Sequence, residues 1–287
     1  MSAILLDDGL IHYEVFGRGK PVVLIHGWLG SWRYWMPTME ALAEKYRAYA
    51  LDLWGFGDSD KPGTGYSVGD YARLMGDFLD GLGIAQASLV GHALGGVVAL
   101  KFALSQSQRV DKLALIDVPV QGSGLSASMR LLRGPLSRFL ARPHTLIELW
   151  MRALKRVSAP WVEMYEEIVE DTAKLDQVAV QSSLADVLDL DLSSKLGQLY
   201  NHTLVVFGEK DEFVDPGQAR FFADGAVATA QVVVLHDCRH FPFLDEPSKF
   251  NRLLREFMDS QLGQVIAVKE DRKRRYQQTE LQRESVG

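Results

Sequence analysis

The run Val90-Gly91-His92-Ala93-Leu94-Gly95-Gly96 admits few backbone shapes. Small residues at 91, 95 and 96 let a strand turn sharply into a helix that packs back against it. In the G-x-S-x-G form of this turn the middle residue is a serine lifted above the edge of a sheet. Here that place is held by Ala93. The bend is written into the chain and its hydroxyl is not, which constrains every functional reading.

The flanking sequence fits the same layout. Apolar stretches at 11–16, 21–26, 48–52, 112–117, 204–207 and 231–235, with one ending at 89–90, read as strands. The 21–26 run is apolar enough to be buried on both faces. Helical stretches at 37–46, 68–81, 94–105, 217–223 and 247–261 separate them, the last opened by Pro247. This alternation predicts an α/β fold, a mostly parallel sheet of about eight strands with helices on both faces. Residues 1–118 and 202–262 form the expected core. Residues 119–201 break the rhythm with helix-like segments and read as a helical insertion over the top of the sheet. Its first half is basic (Arg130, Arg133, Arg138, Arg142, Arg152, Lys155, Arg156) and its second acidic (Glu163, Glu166, Glu167, Glu170, Asp171, Asp176). Two solvated helix faces that attract each other explain this; a basic face for an anionic lipid or substrate is the alternative.

Residues 263–287 form a polar C-terminal extension outside the core. Its basic cluster of Lys269, Arg272, Lys273, Arg274 and Arg275 reads as solvated tail or, alternatively, as a partner-docking strip. With 37 acidic against 31 basic side chains, the net charge of −6 argues against general nucleic-acid affinity. Cys238 is the only cysteine, so no intrachain disulfide can form. Residues 1–10 carry two aspartates and no basic n-region, so a signal peptide is not expected, and no apolar run reaches membrane-spanning length. A cytoplasmic protein is expected. The seven histidines are scattered and no carboxylate cluster has ligand spacing, so neither metal nor cofactor is implied.

His26-Gly27-Trp28 directly follows the most apolar strand, where such sheets supply one backbone N–H to an oxyanion hole. Trp28 is assigned that N–H and Leu94, next after the bend, the second. The chain order that follows is nucleophile, acid, histidine. Asp211 lies just beyond a strand end in Phe207-Gly208-Glu209-Lys210-Asp211. Asp215 and, more distantly, Asp117 compete with it, while Glu209 reads as surface. His240 comes after the last strand, whereas His202 and His236 read as ordinary. An aspartate on one imidazole nitrogen fixes the tautomer and leaves the other nitrogen free to take a proton.

On these residues the chain resembles the α/β-hydrolase superfamily, in particular its esterase, carbon–carbon hydrolase and perhydrolase-like branch. The resemblance runs from about Ile11 to Gln261. It rests on His26-Gly27, Asp52-Leu53-Trp54-Gly55-Phe56-Gly57-Asp58-Ser59, the bend at 91–96, Asp211, and His240 followed by Glu246-Pro247. It implies a cap at 119–201 and a small, largely apolar carbonyl substrate held without a cofactor. Trp32, Trp150 and Trp161 are the expected substrate-binding side chains, alongside Trp28, Trp35, Met151, Met164 and Tyr165. The chain departs from the pattern at Ala93 and at Arg239, where a glycine often precedes the histidine.

Ala93 then has three readings: a serine deliberately replaced to trap substrate, a natural hydrolase that uses a positioned water, as in proteins resembling the aminoacrylate hydrolases, or a pocket that binds without turnover. Ser59, Ser88 and Cys238 are not placed to substitute for the missing hydroxyl. Gly91-x-Ala93-x-x-Gly96 with Asp111 could also be a degenerate dinucleotide fingerprint, but it falls well inside the sheet and leaves His26-Gly27, Asp211 and His240 without roles.

Overall fold

Eight strands hydrogen-bond into one sheet in the order β1-β2-β4-β3-β5-β6-β7-β8. They are β1 (Ser2–Leu6), β2 (Gly9–Gly17), β3 (Lys20–Ile25), β4 (Tyr46–Leu51), β5 (Ala87–His92), β6 (Val110–Ile116), β7 (His202–Gly208) and β8 (Ala230–Leu235). The structure is a computed structural model and describes residues 2–28, 30–131, 170–223 and 225–267. β1 pairs antiparallel with β2 and β2 with β4; from β4 to β8 every pairing is parallel. The expected α/β architecture, a mostly parallel sheet of eight strands, is therefore the one found.

The helices are α1 (Met36–Leu42), α2 (Val68–Gly81), α3 (Leu94–Ser105), α4 (Ala127–Leu131), α5 (Gln177–Leu188), α6 (Pro242–Asp245) and α7 (Pro247–Asp259). Ser67 and Asp70 start α2 with a reciprocal capping box. α7 turns Phe250, Leu253, Leu254, Phe257 and Met258 inward at helical spacing. Residues expected to be helical at 217–223 instead form a short 3-10 turn, Pro216–Phe221, capped by Asp215 through the Gly217 N–H.

Both faces of the sheet are covered, and β3 shows why its sequence is continuously apolar. Val23 and Ile25 belong to the core that includes α2 and α3; Val22 and Leu24 belong to the one that includes α1 and α7. That second core reaches further along the chain than expected: Ile266 is only 5% exposed and exchanges two hydrogen bonds with the Gln231 side chain. β1 has no counterpart among the expected strands. It is an edge strand of alternating half-buried and exposed residues, and such a short amphipathic run carries little sequence signal.

The segment between β6 and β7 contributes α4, α5 and a 3-10 turn at Ser193–Gln198. Trp150, Trp161 and most of the charged halves of this segment fall at 132–169, outside the described residues, as does the basic cluster at 269–275. Among the described residues no helix is long and apolar enough to cross a membrane.

Candidate functional site

Parallel strands present their C-terminal ends, and the loops after them, along one edge of the sheet. At this edge β5 ends in Ala93, whose backbone sits at φ 47° and ψ −112°. A side-chain-bearing residue in that region is strained by about 1–3 kcal/mol. Its surroundings hold it there: Ala93 N–H donates to the Ile116 carbonyl at 2.9 Å, and its own carbonyl accepts from Val97 N at 3.0 Å. α3 follows so closely that a Cβ on Gly95 would meet the Ile25 carbonyl oxygen at 2.3 Å. The strained bend is thus fully built around an alanine.

The loop after β3 lies against it. A Cβ on Gly27 would stand 3.0 Å from the Ala93 Cβ and 2.9 Å from His92 Nδ1, so only glycine permits this approach. Leu94 is the first residue of α3, where the helix offers its N–H no acceptor. Trp28, next after Gly27, is buried, and its indole N–H donates to Ser183 Oγ on α5 at 3.0 Å. His26 fixes the same loop from beneath: its Nδ1–H donates to the Gly27 carbonyl at 2.8 Å and its Nε2 accepts from Leu53 N at 3.0 Å. Burial pushes the His26 imidazole below its ordinary value, in keeping with that neutral tautomer.

The loops after β7 and β8 bring Asp211 and His240 together, with Asp211 Oδ2 at 2.8 Å from His240 Nδ1. Asp211 Oδ1 accepts the N–H groups of Phe213 and Val214 at 2.8 and 3.0 Å. Phe213 and Phe241 pack edge-on against the imidazole, each with ring centroids 5.0 Å away. Asp215 is occupied in capping its own turn, and Glu209 lies at the surface beside His236, 3.2 Å away.

Two contributors to this edge, His92 and Tyr34, were given no role in the sequence, and a third, Asp117, was weighed only as a distant competitor of Asp211. The Tyr34 hydroxyl accepts the Gly27 N–H in a short hydrogen bond and lies 3.3 Å from His92 Nδ1; His92 Nε2 lies 2.7 Å from the His240 carbonyl. One proton arrangement satisfies the whole chain: Gly27 N–H to Tyr34, Tyr34 O–H to Nδ1, and Nε2–H to His240. It requires a neutral His92, and burial, with His240 nearby, holds that imidazole well below its ordinary value. Asp117 follows β6 with φ 47° and is fully buried. The fold gathers His92, Asp117 and His240 so that one ligand-capable atom of each lies within 4.8 Å of the others. Scatter along the sequence had argued against any such cluster. Its imidazoles are already engaged, His92 on both nitrogens and His240 through Nδ1.

Trp32 lies on the same loop beyond Ser31. Its N–H donates to Asp52 Oδ1 at 2.7 Å, and its ring lies 6.1 Å from the His12 ring and 5.2 Å from the Arg33 guanidinium. Ser59 Oγ donates to the Asp52 carbonyl and accepts the His12 N–H; burial pushes the Cys238 thiol up to about 12. Asp111 starts β6 beside Lys20, at the opposite end of the sheet from the bend, so it cannot complete a dinucleotide site there.

This geometry is that of an α/β-hydrolase edge, and residues 20–247 match the family model for the alpha/beta hydrolase fold. The chain belongs to that family. It is 27% identical to a 2-hydroxy-6-oxo-6-phenylhexa-2,4-dienoate hydrolase of Comamonas testosteroni, covering 88% of this chain and 92% of that one. It is likewise 27% identical to a putative carbamate hydrolase, RutD, of Stutzerimonas stutzeri, covering 90% and 100%. Among solved structures it resembles the meta-cleavage product hydrolase of Pseudomonas fluorescens IP01, a serine-to-alanine form complexed with acetates. That likeness has a TM-score of 0.75 and 26% identity over 90% of this chain and 97% of the other.

Proposed function

We propose that the chain binds a small, largely apolar carbonyl compound at the Ala93 bend and, without a serine nucleophile, hydrolyses only labile members of that class. The substrate carbonyl oxygen sits against the N–H groups of Trp28 and Leu94. His240, oriented by Asp211, takes a proton from a water that attacks the carbonyl carbon. The proton then passes from the imidazole to the leaving group. The segment 119–201 serves as a cap, and Trp32, Trp150 and Trp161 are the proposed substrate-binding side chains. Relatives named as hydrolases of a hydroxy-oxo-dienoate and of a carbamate support a carbonyl substrate.

One observation carries this reading: Asp211 and His240 stay paired at 2.8 Å beside a bend that keeps its strain with alanine in it. Loss of a serine nucleophile costs roughly a million-fold in rate, while binding and oxyanion stabilisation still leave about 10³–10⁴ over water. Reactive substrates survive that loss and ordinary esters do not.

Ala93→Ser should therefore raise the hydrolysis of short p-nitrophenyl esters by about 100-fold or more, and His240→Ala in the same background should abolish the gain. An inert Ala93→Ser protein would sink the hydrolytic reading. The absence of any reactive atom at 93 favours a second one, a ligand-binding protein without turnover. It stands if Ala93→Ser is inert while the native chain binds small carbonyl compounds saturably.

A further inference from the structure

Asp211 and Asp117 reach the same region from neighbouring strand ends, and they are solvated very differently. Asp211 receives three donors: Phe213 N–H, Val214 N–H and the His240 imidazole. Asp117, fully buried, receives one, the Gly208 N–H on Oδ1 at 2.9 Å. Its Oδ2 is buried and has no hydrogen-bond donor among the described residues. An ionised carboxylate placed so, beside a second carboxylate, would be strongly destabilised. A carboxylic acid would not, because the orphaned oxygen then carries the proton and needs an acceptor, which Asp211 supplies.

We propose that Asp117 stands as a neutral carboxylic acid donating a hydrogen bond to Asp211, so that His240 is oriented by a two-carboxyl unit carrying a single negative charge. Burial first, then the charge of Asp211, hold the Asp117 carboxyl well above the usual carboxylate range, and a hydrogen bond with Asp211 acts in the same direction. The other titratable groups facing it are His92 and His240, which share its cluster, and Asp245 and Cys238. Both acids of Asp245 and Asp211 disfavour a second charge at Asp117. The backbone agrees: Asp117 is fixed by its N–H to the Val206 carbonyl at 2.9 Å and held at φ 47°, a conformation tolerated best by asparagine, aspartate and glycine.

Asp117 is a positioning residue that acts through Asp211. By donating to Asp211 it draws off part of the negative charge that Asp211 presents to the His240 imidazole. The inference rests on the reading of His240 as the base, yet its test does not depend on turnover. Carboxyl ¹³C and imidazole ¹⁵N titrations in the unliganded protein should show Asp117 protonated at pH 7. Asp117→Asn keeps a donor toward Asp211 and an acceptor for Gly208, so His240 should titrate as in the native chain. Asp117→Ala removes the donor and should raise the His240 midpoint by about one pH unit. An ionised Asp117 carboxyl at pH 7, or an Asp117→Asn shift as large as that of Asp117→Ala, would overturn the proposal. If Ala93→Ser fails while these titrations succeed, the two-carboxyl unit stands and only the hydrolytic reading falls.

Discussion

Two networks hold the loop after β3, and they are built on opposite principles. The first is neutral and buried: Gly27 to Tyr34, Tyr34 to His92, His92 to the His240 carbonyl. The second is charged and reaches toward solvent. Asp52 accepts from Trp32 N, Asp58 N and His12; Arg33 pairs with Asp171 at 2.7 Å and Asp58 at 3.4 Å; Lys174 pairs with Asp58 at 2.6 Å. Ser31 adds a short hydrogen bond to Asp171. The neutral chain fixes the relative position of the loop, the bend and the histidine. The charged one fastens the loop to the segment before α5. Geometry that must be exact to fractions of an ångström is carried by uncharged groups, which neither salt nor mild alkali disturbs.

Asp52 is where the charged network is most deeply buried, so its removal should cost most. The carboxylate is fully buried, and Asp52→Ala strands the N–H groups of Trp32 and Asp58 and the His12 ring. At roughly 1–3 kcal/mol per stranded donor, partly relieved by water, the expected loss is about 3–5 kcal/mol in denaturant unfolding. The pH signature sharpens the contrast. Burial lowers the His12 pKa, but the Asp52 hydrogen bond and charge outweigh it, and the imidazole ends above its ordinary value of 6.5. That contribution is complete below 6.5 and fades as pH rises through the raised value. Asp52→Ala should erase this alkaline slope; a variant that keeps it would place the slope elsewhere.

The neutral chain should respond with the opposite sign. His92 and His26 titrate below 6.5 in the folded protein, so the unfolded chain binds more protons as pH falls past that value. Stability is therefore lost on the acid side. His92→Phe leaves the Tyr34 O–H proton without its acceptor and the His240 carbonyl without its donor, at about 2–3 kcal/mol near neutrality. It should also flatten the acid slope measured by unfolding between pH 5 and 7. An unchanged slope would mean that His92 is not the neutral link the geometry requires.

What could be read in the sequence follows the same division. The sheet was legible because strands buried on both faces are continuous apolar runs, as in Val22–Ile25. The pairing of Asp211 with His240 could be anticipated because both sit just beyond strand ends, in the order the bend demands. Tyr34 and His92 could not, since their contacts span 58 and 148 residues and a lone buried tyrosine or histidine looks like ordinary core. Asp117 was weighed only as a distant competitor. Its significance lies in an oxygen with no donor, which exists only once β6 and β7 are side by side. Nor could the edge strand β1 be seen, with Leu5 76% exposed and nothing but alternation to mark it.

The smallest effect belongs to the outer end of the charged network, and it tests whether that network is graded as its burial suggests. Burial raises the Asp58 carboxyl, but Lys174 and Arg33 outweigh it and hold the carboxyl below its ordinary value of 3.8. Its stabilisation is therefore present above 3.8 and lost only as pH falls below that. The Lys174 side chain is 39% exposed, so water and salt screen the pair. Lys174→Ala should cost no more than about 0.5–1 kcal/mol at low ionic strength, and most of that difference should vanish in molar salt. Arg33 still neutralises Asp58 and Asp171 in that variant, which is why the loss is small. A Lys174→Ala protein as unstable as Asp52→Ala, or one insensitive to salt, would show that Lys174 works as part of the buried core of the network and not as its solvated rim.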